Sequence, residues 1–413
     1  MSSPRPIRVG VSGHNLKFWM PLQRALEATG RYEFRHDKWR NHDGHDVAAS
    51  KAMVEWADVL VSEWALGSAA WYSKHKKPGQ RLVVRWHRQE LETRFPGLID
   101  YSNVDAIAFV GPHILRECLA KFPAIPPEIC TVIGNFIDVD RLALPKMGDA
   151  DTTLGIVGIA PAMKRLDLAV DTLEHLLRQD SRYMLRVKGA SPASLKWLWM
   201  REDERDYYQG VYSRINSGPL RYKVVFDPQG DDIPMWMKFV GTVLSPSDFE
   251  SFHMALAEGA ASGAYPILWE RVGAQEIFPE FPTVKSAEEA ADQILLLNRS
   301  ATGPRLRQQA REMVRDRYDA KVIAREWTRL IEGGAGTQAP VAPQQGRDVI
   351  VVWAIDNWPT FHRREMLQAL AANVADTCDV LIVEPGNHLD TIAQRGWAPR
   401  EELERMAARG MVH

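Results

Sequence analysis

Residues Leu244 to Trp269, LSPSDFESFHMALAEGAASGAYPILW, read as one strand–helix–strand unit. Val240 to Ser245 is a short apolar run that predicts a strand. Glu250 to Ser262 carries apolar residues at helical spacing and closes at Gly263, a C-cap residue type. Tyr265 to Leu268 predicts the next strand. A strand, a crossover helix and a second strand are the repeating unit of a parallel sheet. On such a helix Glu250 and Glu258 lie within about 80° of each other and roughly 12 Å apart along the axis. Two carboxylates so placed would hold two hydroxyl-bearing parts of one elongated ligand. The same spacing also suits a surface helix with two solvated glutamates. Ser245, Ser247 and Asp248 precede the helix as N-cap types, and its first-turn N–H groups would face an anion.

The alternation continues in both directions. Upstream, Arg8–Ser12, Asp58–Ser62, Arg81–Arg85 and Ala106–Val110 predict strands, with a helix over Phe18–Ala28. Leu154–Ile159, Tyr183–Val187 and Val224–Phe226 predict strands of a second set. Its helices are expected over Leu166–Leu177, Ala287–Asn298 and Arg305–Arg317. The fold class is therefore α/β, with two Rossmann-like doubly wound domains facing a cleft. They are expected over residues 1–145 and 146–332, with a join near Gly134–Gly148. His14, Glu63, His87 and Gly111 follow strand ends, where open α/β sheets bind ligands. Residues 333–346, GGAGTQAPVAPQQG, read as a linker. Residues 347–413 predict strands at 348–353 and 379–383 and a helix at 363–372. That is a partial α/β segment, short for a doubly wound domain.

Composition narrows the function classes. The chain has 413 residues, 45% apolar and 25% charged, as expected of a globular protein with two or three domains. Lys and Arg number 51 against 53 Asp and Glu, a net charge of −2. No global field draws in nucleic acid, so no nucleic-acid partner is expected and any anion site must be local. No apolar run reaches 18 residues, so no transmembrane segment is expected, although peripheral membrane contact is compatible with the sequence. The N-terminus shows no signal-peptide pattern. Three cysteines, odd in number and scattered, exclude a disulfide framework and fit a reducing cytoplasm. No G-x-S-x-G or H-E-x-x-H motif is present, and no metal site is predicted. The 14 tryptophans suit a core, and also a sugar-binding surface.

The segment Pro246-Ser247, Glu250-Ser251-Phe252-His253, Glu258-Gly259-Ala260-Ala261-Ser262-Gly263-Ala264-Tyr265-Pro266 resembles the E-x7-E signature of retaining glycosyltransferases of family 4. That family has the GT-B architecture. The resemblance covers roughly residues 6 to 331 and is more specific in the second half. It implies that Glu250 binds donor-sugar hydroxyls and Glu258 the nucleotide ribose. Backbone N–H groups of Phe252, His253 and Met254 would cradle the diphosphate. His253 stands where the family usually has glycine. Lys164, in GIAPAMKR at 158–165, matches the family's lysine on the diphosphate. Ile159 occupies the position of the family's arginine, which leaves Arg165 as the nearest substitute. Lys188-Gly189 matches the family's turn near the nucleotide. In the first half, Gly13 would let the backbone approach a phosphate, and His87 matches a histidine that faces the cleft. His14 reads either way, and Asn135 reads as a turn at the interdomain join.

Residues 191–221 carry Trp197, Trp199, Tyr207, Tyr208 and Tyr212. They read as a helical pair packing its own aromatics or as a platform for an acceptor sugar. Residues after about 346 look like the start of a second glycosyltransferase module, which suggests a sequence taken from a longer polypeptide. The resemblance implies a retaining, metal-independent hexosyltransferase of the cytoplasm, associated with the inner membrane face in one reading. It would take a nucleotide-diphosphate sugar as donor substrate, with no other cofactor. Its acceptor would be a carbohydrate or a lipid-linked acceptor, in bacterial surface polysaccharide synthesis. Two alternatives stay open: a sugar-nucleotide epimerase, and a non-catalytic glycan- or partner-binding module.

Overall fold

The structure is a computed structural model that describes residues 5–334 and, as backbone, the strands at 348–353 and 378–383. Residues up to 334 fall in one compact unit and the two later strands in another.

The first unit holds two parallel six-stranded sheets. The first comprises β1 (Ile7–Gly13), β2 (Tyr32–Lys38), β3 (Val59–Glu63), β4 (Arg81–Trp86), β5 (Ala106–Phe109) and β6 (Cys130–Val132), in the order β2-β1-β3-β4-β5-β6. Its crossovers are α1 (Trp19–Glu27), α2 (Val47–Trp56), α3 (Gly67–His75) and α4 (Pro112–Lys121). A short α5 (Val139–Leu142) follows the join. The second sheet comprises β7 (Thr153–Val157), β8 (Met184–Lys188), β9 (Val224–Asp227), β10 (Thr242–Ser245), β11 (Tyr265–Trp269) and β12 (Thr283–Val284). Around it run α6 (Leu166–Leu177), α7 (Lys196–Trp199), α8 (Glu202–Ile215), α9 (Ile233–Met237), α10 (Met254–Ala261), α11 (Ala274–Ile277), α12 (Ala287–Arg299) and α13 (Gly303–Tyr318). The inner strands are Val/Leu/Ile runs covered on both faces; every residue of β3 and of β10 is buried.

The second sheet runs β9-β8-β7-β10-β11-β12. Counted within that sheet, the order is 3-2-1-4-5-6, that of a dinucleotide-binding fold. The winding reverses between β7 and β10, so the ligand crevice lies beyond the carboxyl ends of those two strands. The chain then returns to the first sheet. Along α14 (Ala320–Ile331), Ile323, Trp327, Leu330 and Ile331 join Val9, Val11 and Trp19 in one core. At the crossing, Ile137 N–H donates to Tyr318 O (2.8 Å) and Ala320 N–H to Ile137 O (3.0 Å).

Two expectations are corrected, and one open alternative is decided. The helix expected from Glu250 begins only at Met254, so Glu250 lies in the loop before it and the two glutamates do not share a helix. The reason is His253, whose φ of 68° and ψ of 74° place it in the left-handed region and end any continuous helical path. None of Ser245, Ser247 and Asp248 caps α10, because the cap position is His253 itself. The 191–221 segment forms α7 and α8 and packs most of its aromatics inward. Tyr208 is fully buried, and its hydroxyl donates to Ile159 O. Trp197 stays exposed. The sequence reading also missed β2, β6 and β12, and α2, α3, α4, α5, α9, α11 and α14.

In the second unit β13 (Asp348–Trp353) and β14 (Cys378–Val383) pair in parallel, with Asp348 opposite Cys378. The expected helix at 363–372 and nearly all of the 333–346 linker lie outside the described residues. Among the described residues, no helix is long and apolar enough to cross a membrane. Trp327→Ala is expected to lower stability by about 3–5 kcal/mol, read as a lower denaturant midpoint. A parent-like midpoint would show that α14 adds little to the first core.

Candidate functional site

Two loops meet at the reversal point. After β7, Gly158 turns with a φ of 75°, and Ala162–Lys164 form a single 3-10 turn. Arg165 then takes a left-handed conformation and α6 begins. After β10 the chain runs through Ser247 and Asp248 to Glu250. Asp248 N–H donates to Met163 O (2.9 Å), and Arg165 Nη1 donates to Asp248 Oδ1 (2.9 Å). These ties bring Lys164 Nζ to 2.6 Å from Glu250 Oε1. Ser247 Oγ donates to the same oxygen at 2.8 Å, and His253 Nε2 lies 3.6 Å from it. All three contacts fall on Oε1, so Oε2 can still accept a hydrogen bond.

The electrostatics follow from burial and pairing. Burial pushes the Glu250 carboxyl up, but His253, the Lys164 ammonium and the Ser247 hydroxyl outweigh it and bring it down to about 2. Burial pushes His253 down to about 3, against the pull of Glu250 and with the help of Arg271 and Lys164. Near neutral pH the pair is thus a carboxylate beside an uncharged imidazole. The His253 ring also bonds through Nδ1 to Ser245 Oγ. Arg271, just past β11, donates to Ser245 O (3.0 Å) and to Ser245 Oγ (2.9 Å).

The first sheet's loops and helices reach the same place. His113 in α4 bonds through Nε2 to Glu250 O (3.0 Å). This approach needs Gly273, at φ 80°, because a Cβ there would sit 2.2 Å from His113 Nδ1. Arg116 in α4 pairs with Glu276 in α11 (2.6 Å), and the Arg88 guanidinium lies 4.2 Å from the Phe249 ring centre.

Glu258, on α10, lines a cleft of about 780 Å³ together with Lys17, Arg24, Arg141, Asp231 and Met254. Among the described residues, no hydrogen bond or ion pair reaches its carboxylate. Burial pushes that carboxyl up to about 7, with Arg141 pulling it down.

The structure thus brings Lys164, Glu250 and His253 together, while Met254 and Glu258 face the cleft. Other expected residues are engaged elsewhere. Phe252, expected to offer its backbone N–H, packs its ring into the core against Phe278 and Tyr318, which leaves that expectation as it was. Arg165 is held by Asp167 and Asp248 and does not stand as a free cation. Lys188 is buried and paired with Asp232 (2.7 Å). Gly13 is required by packing, since a Cβ there would lie 2.7 Å from Glu63 O. His87 is buried against Trp64 and Phe18, ring centres 4.1 and 5.4 Å away, with no hydrogen bond to either ring nitrogen. Asn135 accepts from Arg85 (2.7 Å), whose other arm pairs with Glu63 (3.2 Å). Arg271 and His113 were missed; their only sequence signal is a place just after a strand. Among the described residues, no group of three or more His, Cys, Asp or Glu side chains could hold a metal ion.

No protein-family model and no curated protein sequence matches this chain. Solved structures do. Anabaena HepE in complex with UDP-glucose superposes with a TM-score of 0.60 at 14% identity, over 79% of this chain and 99% of that one. A glycosyltransferase from Rickettsia africae gives 0.62 at 11% identity, over 80% and 98%. TarM gives 0.52 at 15% identity, over 66% and 54%. The two sheets and these likenesses define an α/β fold of the GT-B type.

The raised Glu258 carboxyl carries a stability consequence. Its folded pKa lies above the unfolded value near 4.3, so its contribution favours folding below about pH 4 and is lost as pH rises through about 7. Glu258→Gln should therefore raise the melting temperature at pH 8 relative to the parent and leave it unchanged at pH 4. Equal shifts at both pH values would refute the assignment.

Proposed function

We propose that this chain is a retaining glycosyltransferase that moves a sugar from a nucleotide-diphosphate donor to a carbohydrate or lipid-linked acceptor. The observation that carries the reading is the 2.6 Å contact of Lys164 with Glu250, at the reversal point of a dinucleotide-type sheet and beside the start of α10. In this reading Glu250 Oε2 accepts from donor-sugar hydroxyls. The unpaired Glu258 carboxylate accepts from the two ribose hydroxyls, which are the donors it lacks in the protein. The diphosphate lies against the N–H groups that open α10 and draws on Lys164. HepE, which shares the fold, is complexed with UDP-glucose, and this supports a nucleotide sugar as the ligand class.

As the bond from sugar to diphosphate breaks, negative charge grows on the leaving group. The Lys164 ammonium and the amide dipoles meet that charge, so no metal ion is needed in this scheme. His87 lies in the first half, on the acceptor side in this reading, but both of its ring nitrogens are buried without a hydrogen bond, and Nδ1 lies 3.7 Å from Glu90 Oε1. Two buried thiols or half-buried thiols, Cys118 and Cys130, are free, which suits a reducing cytoplasm, and surface polysaccharide synthesis is the setting we assign.

A thermal-shift screen against a panel of nucleotide sugars tests the ligand class, because a ligand that binds only the folded state raises the melting point. Glu258→Ala should weaken nucleotide binding by roughly 10- to 150-fold, the value of a charge-assisted hydrogen bond. Lys164→Ala should lower turnover by about 10²-fold with a smaller change in donor affinity, because the added charge appears in the transition state. Parent-like titrations and turnover from both variants would remove the assignment. Donor epimerised without any acceptor would replace transfer with isomerisation.

A further inference from the structure

The Arg271–Ser245–His253 chain is the feature of the site that the proposed chemistry leaves unused. Arginine carries only donors. At Ser245 Oγ, therefore, the guanidinium takes a lone pair (2.9 Å), and Ser245 has one proton left to give. Its other side-chain partner is His253 Nδ1. With the serine as donor, Nδ1 is the acceptor and the ring proton sits on Nε2, the nitrogen 3.6 Å from Glu250 Oε1.

Two further observations say that this chain is built rather than incidental. Among the described residues, no carboxylate lies within ion-pair distance of Arg271, so its charge is spent on Ser245 and on the field at Glu250. His253 also holds a left-handed backbone, with φ 68°, that glycine would adopt freely. A strained residue in a binding loop persists where its side chain is held by its surroundings.

We propose that Arg271, Ser245 and His253 form a hydrogen-bonded relay that fixes His253 as the Nε2–H tautomer and turns Glu250 so that Oε2 meets the ligand. His253 is a positioning residue, acting through Glu250. The uncharged N–H faces Oε1 across 3.6 Å without adding a third positive charge beside Lys164 and Arg271. The charged groups facing His253 are Glu250 from the loop after β10, Lys164 from the loop after β7 and Arg271 from the end of β11. Burial together with the two cations keeps the imidazole uncharged. The tautomer does not depend on the reaction, whereas the effect on Glu250 rests on the glycosyltransferase reading.

Long-range ¹⁵N–¹H NMR on the full chain, labelled with ¹⁵N-histidine, reads the tautomer directly. His253→Gly identifies the signal by its disappearance. The expected result is an Nε2–H imidazole from pH 6 to 8. An Nδ1–H tautomer, or protonation within that range, would overturn the relay. In Ser245→Ala the Nδ1 acceptor bond is gone, and the signal should move toward a mixture of tautomers. An unchanged signal there would also overturn it. With whichever nucleotide sugar the parent turns over, Ser245→Ala should lower kcat about tenfold while the donor KM changes less than about threefold. A parent-like kcat would remove the positioning role. If the parent transfers no sugar, the transferase reading fails, and the NMR result still decides the relay.

Discussion

The site depends on one constraint: Glu250 is a nearly buried carboxylate, and a buried carboxylate needs partners. Lys164 supplies the charge and Ser247 a hydroxyl proton. Because the two residues come from loops after different strands, their contact fixes the spacing of those loops. The Arg165–Asp248 pair and the Asp248 N–H to Met163 O bond tie the loops at a second and third point. Removing either partner alone would leave a charge with little water to replace the loss, which is why such pairs resist single substitutions. The chain as a whole carries a charge of −2, yet here Lys164 and Arg271 outnumber Glu250.

The first sheet completes this place rather than standing apart from it. His113 takes the main chain of Glu250 as its partner, so an element of the first half bonds to the residue on which the second half's site is built. Arg88 on Phe249 and Arg116 on Glu276 add contacts on either side. Behind them lies the buried Glu63–Arg85–Asn135 chain, which anchors the interdomain join to β3 and β4. Gly134, one residue before Asn135, lies so close to the ring of Phe252 that a Cβ would come within 3.1 Å. The join therefore packs directly against the residue just before His253.

Much of the fold was legible because buried parallel strands are short apolar runs with no alternation to confuse them. The strand at Arg81 is of this kind, and the helix Leu166–Leu177 was legible from its apolar residues at helical spacing. The edge strand β2 was missed because YEFRHDK alternates charge with aromatic residues and has no apolar run. The start of α10 was misplaced because helical periodicity cannot register one left-handed residue, and the geometry argued from it for the two glutamates failed with it. The resemblance that assigns roles to the two glutamates rests on the sequence pattern and not on that geometry. Lys188 and Arg165 carry the right charge at the right strand ends, but sequence spacing cannot show that Asp232, Asp167 and Asp248 already hold them. Arg271 was invisible for the opposite reason: its partners are a serine hydroxyl and a main-chain carbonyl, which leave no charge pattern to read.

Ile159 shows how the parts constrain one another. Its side chain is buried with those of α6 and α8, and its carbonyl accepts the Tyr208 hydroxyl. An arginine at that position would place its stem in this apolar layer, and its charge would have to leave the layer or displace Tyr208. The packing of the 191–221 insertion and the apolar residue at 159 therefore go together. Among the described residues Arg271 has no carboxylate within ion-pair distance, and it is joined through Ser245 to the residue that opens α10. The cation next to β10 therefore stands on the far side of that strand, where the insertion does not reach.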